Sequence, residues 1–272
     1  MFVWRKSVAE EWLRLNEPNL SAATAGRHAV IERPHHKKCL VEFFCPRFPK
    51  ARELRARWGG SVARLPNNWE RGFLKPRPAT FIKIGKRLVV ASDQSASGAR
   101  ILVVPAGTAF GTGEHVTTAM CLRLLEEVTR RWPDGWSLLD AGTGSGILAL
   151  AAKRLGARQV LAIDIDPIAI STAKQNAQLN KLKIKFRLAD IAAKNSLSDQ
   201  RYDIISANLF SELLIRALSQ WKRRLKRNGL LILSGVLKNQ EPQVERALRR
   251  FRFAPLTVRR RGKWVAILAS PG

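Results

Sequence analysis

Three alternating glycines follow directly on a short apolar run that ends in a carboxylate. The run is Ser137-Leu-Leu-Asp140, and the glycines are Gly142, Gly144 and Gly146. The run has the composition of a buried strand, and the residues after the glycines read as a helix. Glycines let the backbone turn tightly and approach a ligand closely at a helix start, where open parallel sheets hold nucleotide-like ligands. The spacing therefore predicts a ligand pocket rather than an empty turn.

The negative charge of this segment indicates which class of nucleotide-like ligand it can bind. The motif departs from the G-x-G-x-x-G of dinucleotide sites because its sixth position is Ile147, and Asp140 would set a negative charge beside a pyrophosphate. S-adenosylmethionine carries a sulfonium, an ammonium group and no phosphate, so it suits an acidic site better. A second apolar run, Val160 to Ile163, ends at Asp164, whose carboxylate can accept both hydroxyls of a ribose. We therefore expect this cofactor to be contacted by Asp140, Gly142, Gly144 and Asp164.

Three further segments place polar side chains where strands end or a helix begins. Asn208 ends the run Asp203-Ile-Ile-Ser-Ala, and its amide can orient an amine that receives a methyl group; the alternative is a turn residue. Asp190 can accept from an adenine amino group, with a loop cap as its alternative. The segment Gly111 to Thr118 precedes an apolar helix and can close over a ligand, although Thr118 could be only a helix cap and His115 only structural.

Composition indicates a globular protein that attracts polyanions. The 272 residues include 48 Lys and Arg against 21 Asp and Glu, a formal net charge of +27. Such a field favours RNA or a ribonucleoprotein, the alternative being a generally solvated basic surface. We therefore count ribosomal RNA, bound through this basic surface, as a candidate partner.

Cysteine usage and hydropathy indicate the compartment. The three cysteines have no metal-ligand spacing, and their odd number argues against a disulfide framework. His35 and His36 are expected to be solvated turn residues rather than metal ligands. No apolar run approaches ~20 residues and the N-terminus lacks a cleavable signal, so we expect a soluble, cytoplasmic protein with no membrane contact.

The chain is expected to divide into three parts. Residues 1–65 show strand and helix signals in the order β-α-β-β-α-β, with the first strand at Phe2 to Ser7 and the first helix at Val8 to Leu15, which is typical of a small ferredoxin-like domain. Residues 66–100 are rich in Pro, Gly and Ser and read as a linker with a preliminary strand or two. Residues 101–272 alternate strands and helices, which predicts a doubly wound, mostly parallel α/β sheet with an antiparallel C-terminal hairpin.

Four motifs make the chain resemble the ribosomal protein L11 methyltransferase family, which is Rossmann-like and depends on S-adenosylmethionine. They are Pro105-Ala-Gly-Thr-Ala-Phe-Gly-Thr-Gly-Glu-His-Val-Thr-Thr118, Leu139-Asp-Ala-Gly-Thr-Gly-Ser-Gly-Ile-Leu148, Ile163-Asp-Ile-Asp-Pro167 and Ala207-Asn208. The first motif is the most distinctive, since many methyltransferases share the glycine run. The chain departs from the family's usual Asn-Ile-Leu with Asn208-Leu-Phe210, and its N-terminal part is short and basic.

The resemblance implies an activity and a set of site residues. Thr118, Gly142, Asp164 and Asn208 match the family's cofactor-contacting positions, and the N-terminal domain resembles the part that holds the ribosomal substrate. The expected reaction is transfer of methyl groups to lysine or N-terminal amino groups of ribosomal protein L11. The alternatives are a lysine methyltransferase of another protein, an RNA methyltransferase, or a non-catalytic ribosome- or RNA-binding protein with the same fold.

Overall fold

The computed structural model describes residues 2–24, 29–31, 38–45, 47–65, 80–105, 113–130, 132–191 and 200–272. The chain forms two compact units, Met1–Arg77 and Pro78–Gly272. His35, His36 and the proline-rich segment 66–79 lie outside the described residues, as do residues 106–112 of the Pro105–Thr118 motif.

The smaller unit is a four-stranded antiparallel sheet with two helices. Its elements in chain order are β1 (Phe2–Ala9), α1 (Glu10–Thr24), β2 (Ala29–Ile31), β3 (Lys38–Cys45), α2 (Phe48–Trp58) and β4 (Ser61–Arg64), and the sheet order is β2-β3-β1-β4. Trp4 and Phe43 of the sheet pack with Leu20 of α1 and Leu54 of α2. The predicted helix start at Val8 is wrong, because Val8 is buried in the sheet opposite Cys39 and α1 begins at Glu10.

The larger unit opens with a small three-stranded sheet of β5 (Phe81–Ile84), β6 (Leu88–Ala91) and β7 (Ile101–Val103). Leu88 and Leu102 of this sheet belong to the main hydrophobic core of the unit. The side chain of Asn180 holds the backbone of Val103, accepting from its N–H at 2.8 Å and donating to its carbonyl at 2.7 Å. Residues 80–100, predicted as linker and preliminary strands, are therefore packed into the larger unit.

The rest of this unit is an α/β sandwich. Its elements are α3 (Val116–Val128), β8 (Ser137–Ala141), α4 (Ile147–Arg154), β9 (Gln159–Asp164), α5 (Pro167–Leu179), β10 (Lys185–Leu188), β11 (Tyr202–Asn208), α6 (Ser211–Arg224), β12 (Leu225–Leu237), α7 (Glu241–Arg250), β13 (Phe253–Arg261) and β14 (Trp264–Pro271). The sheet order is β10-β9-β8-β11-β12-β14-β13. The first five strands are parallel and the last two antiparallel, which confirms the predicted doubly wound sheet with a C-terminal hairpin.

Alternation along the central strands gives the sheet a core on each face. Leu138 and Ile204 pack with α3 and α4 on one face, whereas Leu139 and Ile205 pack with α6 and α7 on the other. The chain leaves β8 towards β9 on one side and later returns to β11 on the other, so ligand binding is expected where β8 and β11 end. Within the described residues, no helix is long and apolar enough to span a membrane.

Candidate active site

The glycine turn after β8 has a backbone that only glycine adopts readily. Gly142, Gly144 and Gly146 have φ values of +73°, +54° and +84°. The N–H of Gly142 donates to the carbonyl of Ile163 at 2.9 Å, which ties the turn to the end of β9. A Cβ atom on Gly142 would lie 2.4 Å from Leu209 Cδ2. All three positions thus favour glycine for the left-handed conformation, and Gly142 is also required for the close approach of the loop after β11.

Asp140 lies beneath this turn rather than on the surface of a pocket. Its side chain is 1% exposed; Oδ2 accepts from Thr143 Oγ1 at 2.6 Å and Oδ1 accepts from Ser206 Oγ at 2.7 Å. Burial raises the pKa of Asp140 to about 6. The two hydrogen bonds act in the opposite direction, because they favour the charged form, but the effect of burial is larger. The expectation of a direct cofactor contact therefore changes: Asp140 holds the turn in place from below.

Asp164 ends β9 and faces the turn. Its Oδ2 accepts from the N–H of Gly144 at 2.9 Å, and its Oδ1 accepts from the N–H of Asp166 at 3.1 Å. The residue is half-buried. Because each carboxylate oxygen has more than one acceptor site, both can still accept from a pair of ligand hydroxyls.

Asp190 lies at the same edge of the sheet, just after β10. Leu188 pairs with Asp164 in the parallel register, and the N–H of Ala189 donates to the carbonyl of Asp164 at 2.9 Å. Asp190 is half-buried, and it is not among the described residues that line the cavity described below.

Asn208 ends β11 and contacts the first turn of α3. Its Nδ2 donates to Thr118 Oγ1 at 3.2 Å, and Thr118 is fully buried. Its Oδ1 is also buried and has no hydrogen-bond partner among the described residues. A buried carbonyl without a donor costs about 1–3 kcal/mol, so this oxygen favours a ligand that brings an N–H or O–H group.

A cavity of about 410 Å³ lies between the glycine turn, Asp164 and Asn208. This volume is within the range of small-molecule sites. Its described lining consists of His115, Thr117, Gly142, Gly144, Asp164, Asn208, Leu209, Phe210, Gly235 and Trp264. This lining contains one carboxylate and neither Lys nor Arg, so the site suits a cationic ligand better than a phosphate.

Two cavity residues come from parts of the chain that sequence reasoning did not connect with the site. Trp264 begins β14, and Gly235 lies at an irregularity in β12, with φ +85°. The Trp264 ring packs edge-on against His115, with 5.2 Å between ring centroids. Neither residue has a motif of its own. The pairing of β12 with β11 brings Gly235 to this edge, and the pairing of β14 with β12 brings Trp264 there.

His115 caps α3 and forms part of the cavity wall. Its Nδ1 lies 2.7 Å from Thr117 Oγ1. Burial lowers the pKa of His115, and the nearby Lys263 lowers it further. Both effects favour the neutral imidazole over the charged one. Of the predicted site residues, Gly142, Gly144, Asp164 and Asn208 line one cavity, Thr118 supports Asn208, and Asp140 lies below the turn.

Comparison with known proteins identifies the family. The model of the ribosomal protein L11 methyltransferase (PrmA) family matches residues 67–271. The chain belongs to this family. The match contains every residue of the cavity lining and leaves out most of the smaller unit.

Curated members of the L11 methyltransferase family are similar to the chain over part of its length. The proteins of that name from Symbiobacterium thermophilum and Dictyoglomus turgidum are 39% and 38% identical over 191 and 174 residues. These alignments cover 69% and 62% of this chain, and the chain spans only 61% and 55% of the two relatives. A crystal structure of ribosomal protein L11 methylase from Lactobacillus delbrueckii subsp. bulgaricus superposes with a TM-score of 0.62 at 31% identity, covering 70% of this chain and 98% of that one.

Proposed function

We propose that this chain is an S-adenosylmethionine-dependent methyltransferase that modifies lysine or N-terminal amino groups of ribosomal protein L11. The observation that carries the proposal is the Asn208 Oδ1, which has no hydrogen-bond partner among the described residues and lies at the wall of a glycine-edged cavity that also holds the Asp164 carboxylate. Membership of the L11 methyltransferase family supports the choice of substrate.

The cavity residues fit this cofactor in charge and shape. Asp164 offers carboxylate oxygens to ribose hydroxyls, and Gly142 and Gly144 line the cavity with backbone alone, which a ligand can approach closely. The described lining has no Lys or Arg that a phosphate would require, while a sulfonium and an ammonium group are compatible with its single carboxylate. Asp140 is assigned an indirect role: it holds the turn in place through its hydrogen bond with Thr143 and does not contact the cofactor.

For methyl transfer, the protein must position the substrate amine. When bound, S-adenosylmethionine supplies a methyl group on a positively charged sulfur, which leaves as a neutral thioether. A lysine amine, with its ordinary pKa of about 10.4, or an N-terminal amine, with its ordinary pKa of about 8, must release a proton to solvent before its lone pair can attack. Asn208 Oδ1 accepts one of the remaining N–H groups and so fixes the direction of the lone pair, while Thr118 fixes the amide.

The proposal extends to partners and location. We assign the smaller unit to recognition of the protein substrate, because it lies largely outside the family match and carries its own core. Ribosomal RNA is a proposed second partner, supported by the net charge of +27. Cys39, Cys45 and Cys121 are free and buried, which supports a reducing compartment such as the cytoplasm.

Substitution of Asn208 tests the proposed role. In Asn208→Ala, single-turnover methyl transfer at saturating cofactor should slow by about 100-fold, the size expected when a reacting group is misplaced by roughly 1 Å. Cofactor affinity should fall much less, because the amide is assigned to the amine. Thr118→Ser keeps the hydroxyl and should transfer at nearly the wild-type rate. An unchanged transfer rate in Asn208→Ala would show that the residue is only a strand-end turn.

A further inference from the structure

Helix α2 of the smaller unit has a clear inner and outer face. Ala51, Leu54 and Trp58 are buried against the sheet. Phe48, Arg52 and Arg55 recur at i, i+4 and i+7, so they form a stripe on one side of the helix. Both arginines are exposed, and Phe48 is 49% exposed. The Phe48 ring also contacts the ring of Phe2, with 5.1 Å between centroids, so that the rest of its surface is what faces solvent. None of the three residues of this outer stripe of α2 lines the cavity of the larger unit.

The outer stripe is strongly basic and uncompensated. Residues 47–57 contain five cations and a single acid, Glu53. Glu53 is engaged by Lys50, whose Nζ lies 2.9 and 3.0 Å from its two carboxylate oxygens. Arg52 and Arg55 form no ion pair or side-chain hydrogen bond with any residue that the structure describes. Their charges are therefore free to meet an external anion.

We propose that the outer stripe of α2 binds single-stranded RNA. Guanidinium groups recognise phosphate with two parallel hydrogen bonds, and an exposed aromatic ring gives a base a face to stack on. From Phe48 to Arg55 the helix rises by about 10 Å, which spans a few nucleotides of a strand. The choice of RNA over other polyanions rests on the proposed ribosomal substrate, and the ring of Phe48 gives it independent support because an acidic protein surface does not require base stacking.

Matched pairs of substitutions test the proposal on the full-length chain. The first pair compares Arg52→Gln/Arg55→Gln with Arg246→Gln/Arg250→Gln, which removes the same charge from the exposed face of α7. The second pair compares Phe48→Ala with Phe81→Ala, a phenylalanine of the larger unit that is 57% exposed. The readout is the fluorescence anisotropy of a short labelled RNA of mixed sequence over a range of salt concentrations, with polyglutamate as a second probe and no cofactor present.

The proposal predicts that only the substitutions in α2 weaken RNA binding. The α2 double variant should weaken RNA binding about tenfold and reduce the slope of log affinity against log salt by about 1.4, since each phosphate contact to a single strand contributes about 0.7. Phe48→Ala should weaken RNA binding about fivefold or more, and both control variants should bind like the wild type. Unchanged thermal midpoints would exclude unfolding as the cause.

Three results would overturn the proposal. Equal losses in both double variants would mean that only overall charge matters, and no loss in either would mean that α2 is not the contact. An unchanged RNA affinity in Phe48→Ala, together with loss of polyglutamate binding in the α2 double variant, would mean that the stripe receives an acidic protein. Because the RNA measurement uses neither L11 nor cofactor, failure here leaves the proposed transfer reaction intact, and failure of transfer leaves this measurement valid.

Discussion

The glycine turn makes a sharp prediction through Gly142→Ala. At φ +73° an alanine costs about 1–2 kcal/mol, because an L-residue is strained in the left-handed region. The new Cβ would also lie 2.4, 3.0 and 3.1 Å from three side-chain atoms of Leu209. Overpacking of this kind costs about 1–3 kcal/mol more, so the free energy of unfolding should fall by about 2–5 kcal/mol.

Gly262 provides a matched control in the same unit. It has φ +57°, and a Cβ there would meet nothing within 4 Å. Gly262→Ala should therefore show only the backbone strain of about 1–2 kcal/mol. The measurement is urea denaturation of both variants, followed by titration calorimetry with S-adenosylmethionine. Because Leu209 lines the cavity, Gly142→Ala should also weaken cofactor binding by tenfold or more, while Gly262→Ala should bind normally.

A double-mutant cycle isolates the contribution of the Leu209 clash to the loss of stability in Gly142→Ala. Leu209→Ala removes all three of the contacting atoms, so Gly142→Ala/Leu209→Ala should be about 1–3 kcal/mol more stable than the sum of the single changes predicts. Strict additivity, together with equal behaviour of Gly142→Ala and Gly262→Ala, would refute the account of why this turn needs glycine.

Two further predictions concern the carboxylates. Asp164→Ala should weaken S-adenosylmethionine binding in calorimetry by about 1–3 kcal/mol, since it removes an acceptor for the ribose; equal affinity would reject that assignment. For Asp140, burial raises the pKa from 3.8 to about 6, so its stabilising contribution is complete below about pH 4 and is lost as pH rises through about 6. Two pKa units correspond to about 3 kcal/mol. The free energy of unfolding of the wild type, measured by denaturation at several pH values, should therefore fall by roughly that amount relative to Asp140→Asn between about pH 4 and 7. A difference in stability between the two proteins that stays constant with pH would contradict the ionisation of a buried Asp140.

The sequence allowed the sheet and one edge of the site to be predicted because both depend on local patterns. Apolar runs such as Val160 to Ile163 define strands, and the carboxyl ends of parallel strands must meet at one edge, which places Asp164 and Asn208 together. Trp264 could not be predicted, because its place in the cavity depends on β14 pairing with β12 across the sheet.

The direction in which a side chain points was the second feature that the sequence did not predict. Asp140 stands at a motif position that suggests ligand contact, yet its carboxylate turns to Thr143 and Ser206, and only the packing of β11 beside β8 determines that. For the segment 80–100 the sequence predicted a linker with a preliminary strand or two. The strands β5 and β6 lie there, but their packing into the larger unit depends on contacts of residues such as Leu88 with distant parts of the chain, which local composition does not indicate.

The most direct test of the central claim is methylation of the proposed substrate at this site. Purified protein would be incubated with ribosomal protein L11 and S-adenosylmethionine carrying a deuterated methyl group, and L11 peptides would then be mapped by mass spectrometry. We predict labelled methyl groups on lysine side chains or the N-terminal amine, formed about 100-fold more slowly by Asn208→Ala. An L11 without label, although the cofactor binds, or equal labelling by Asn208→Ala, would contradict the account.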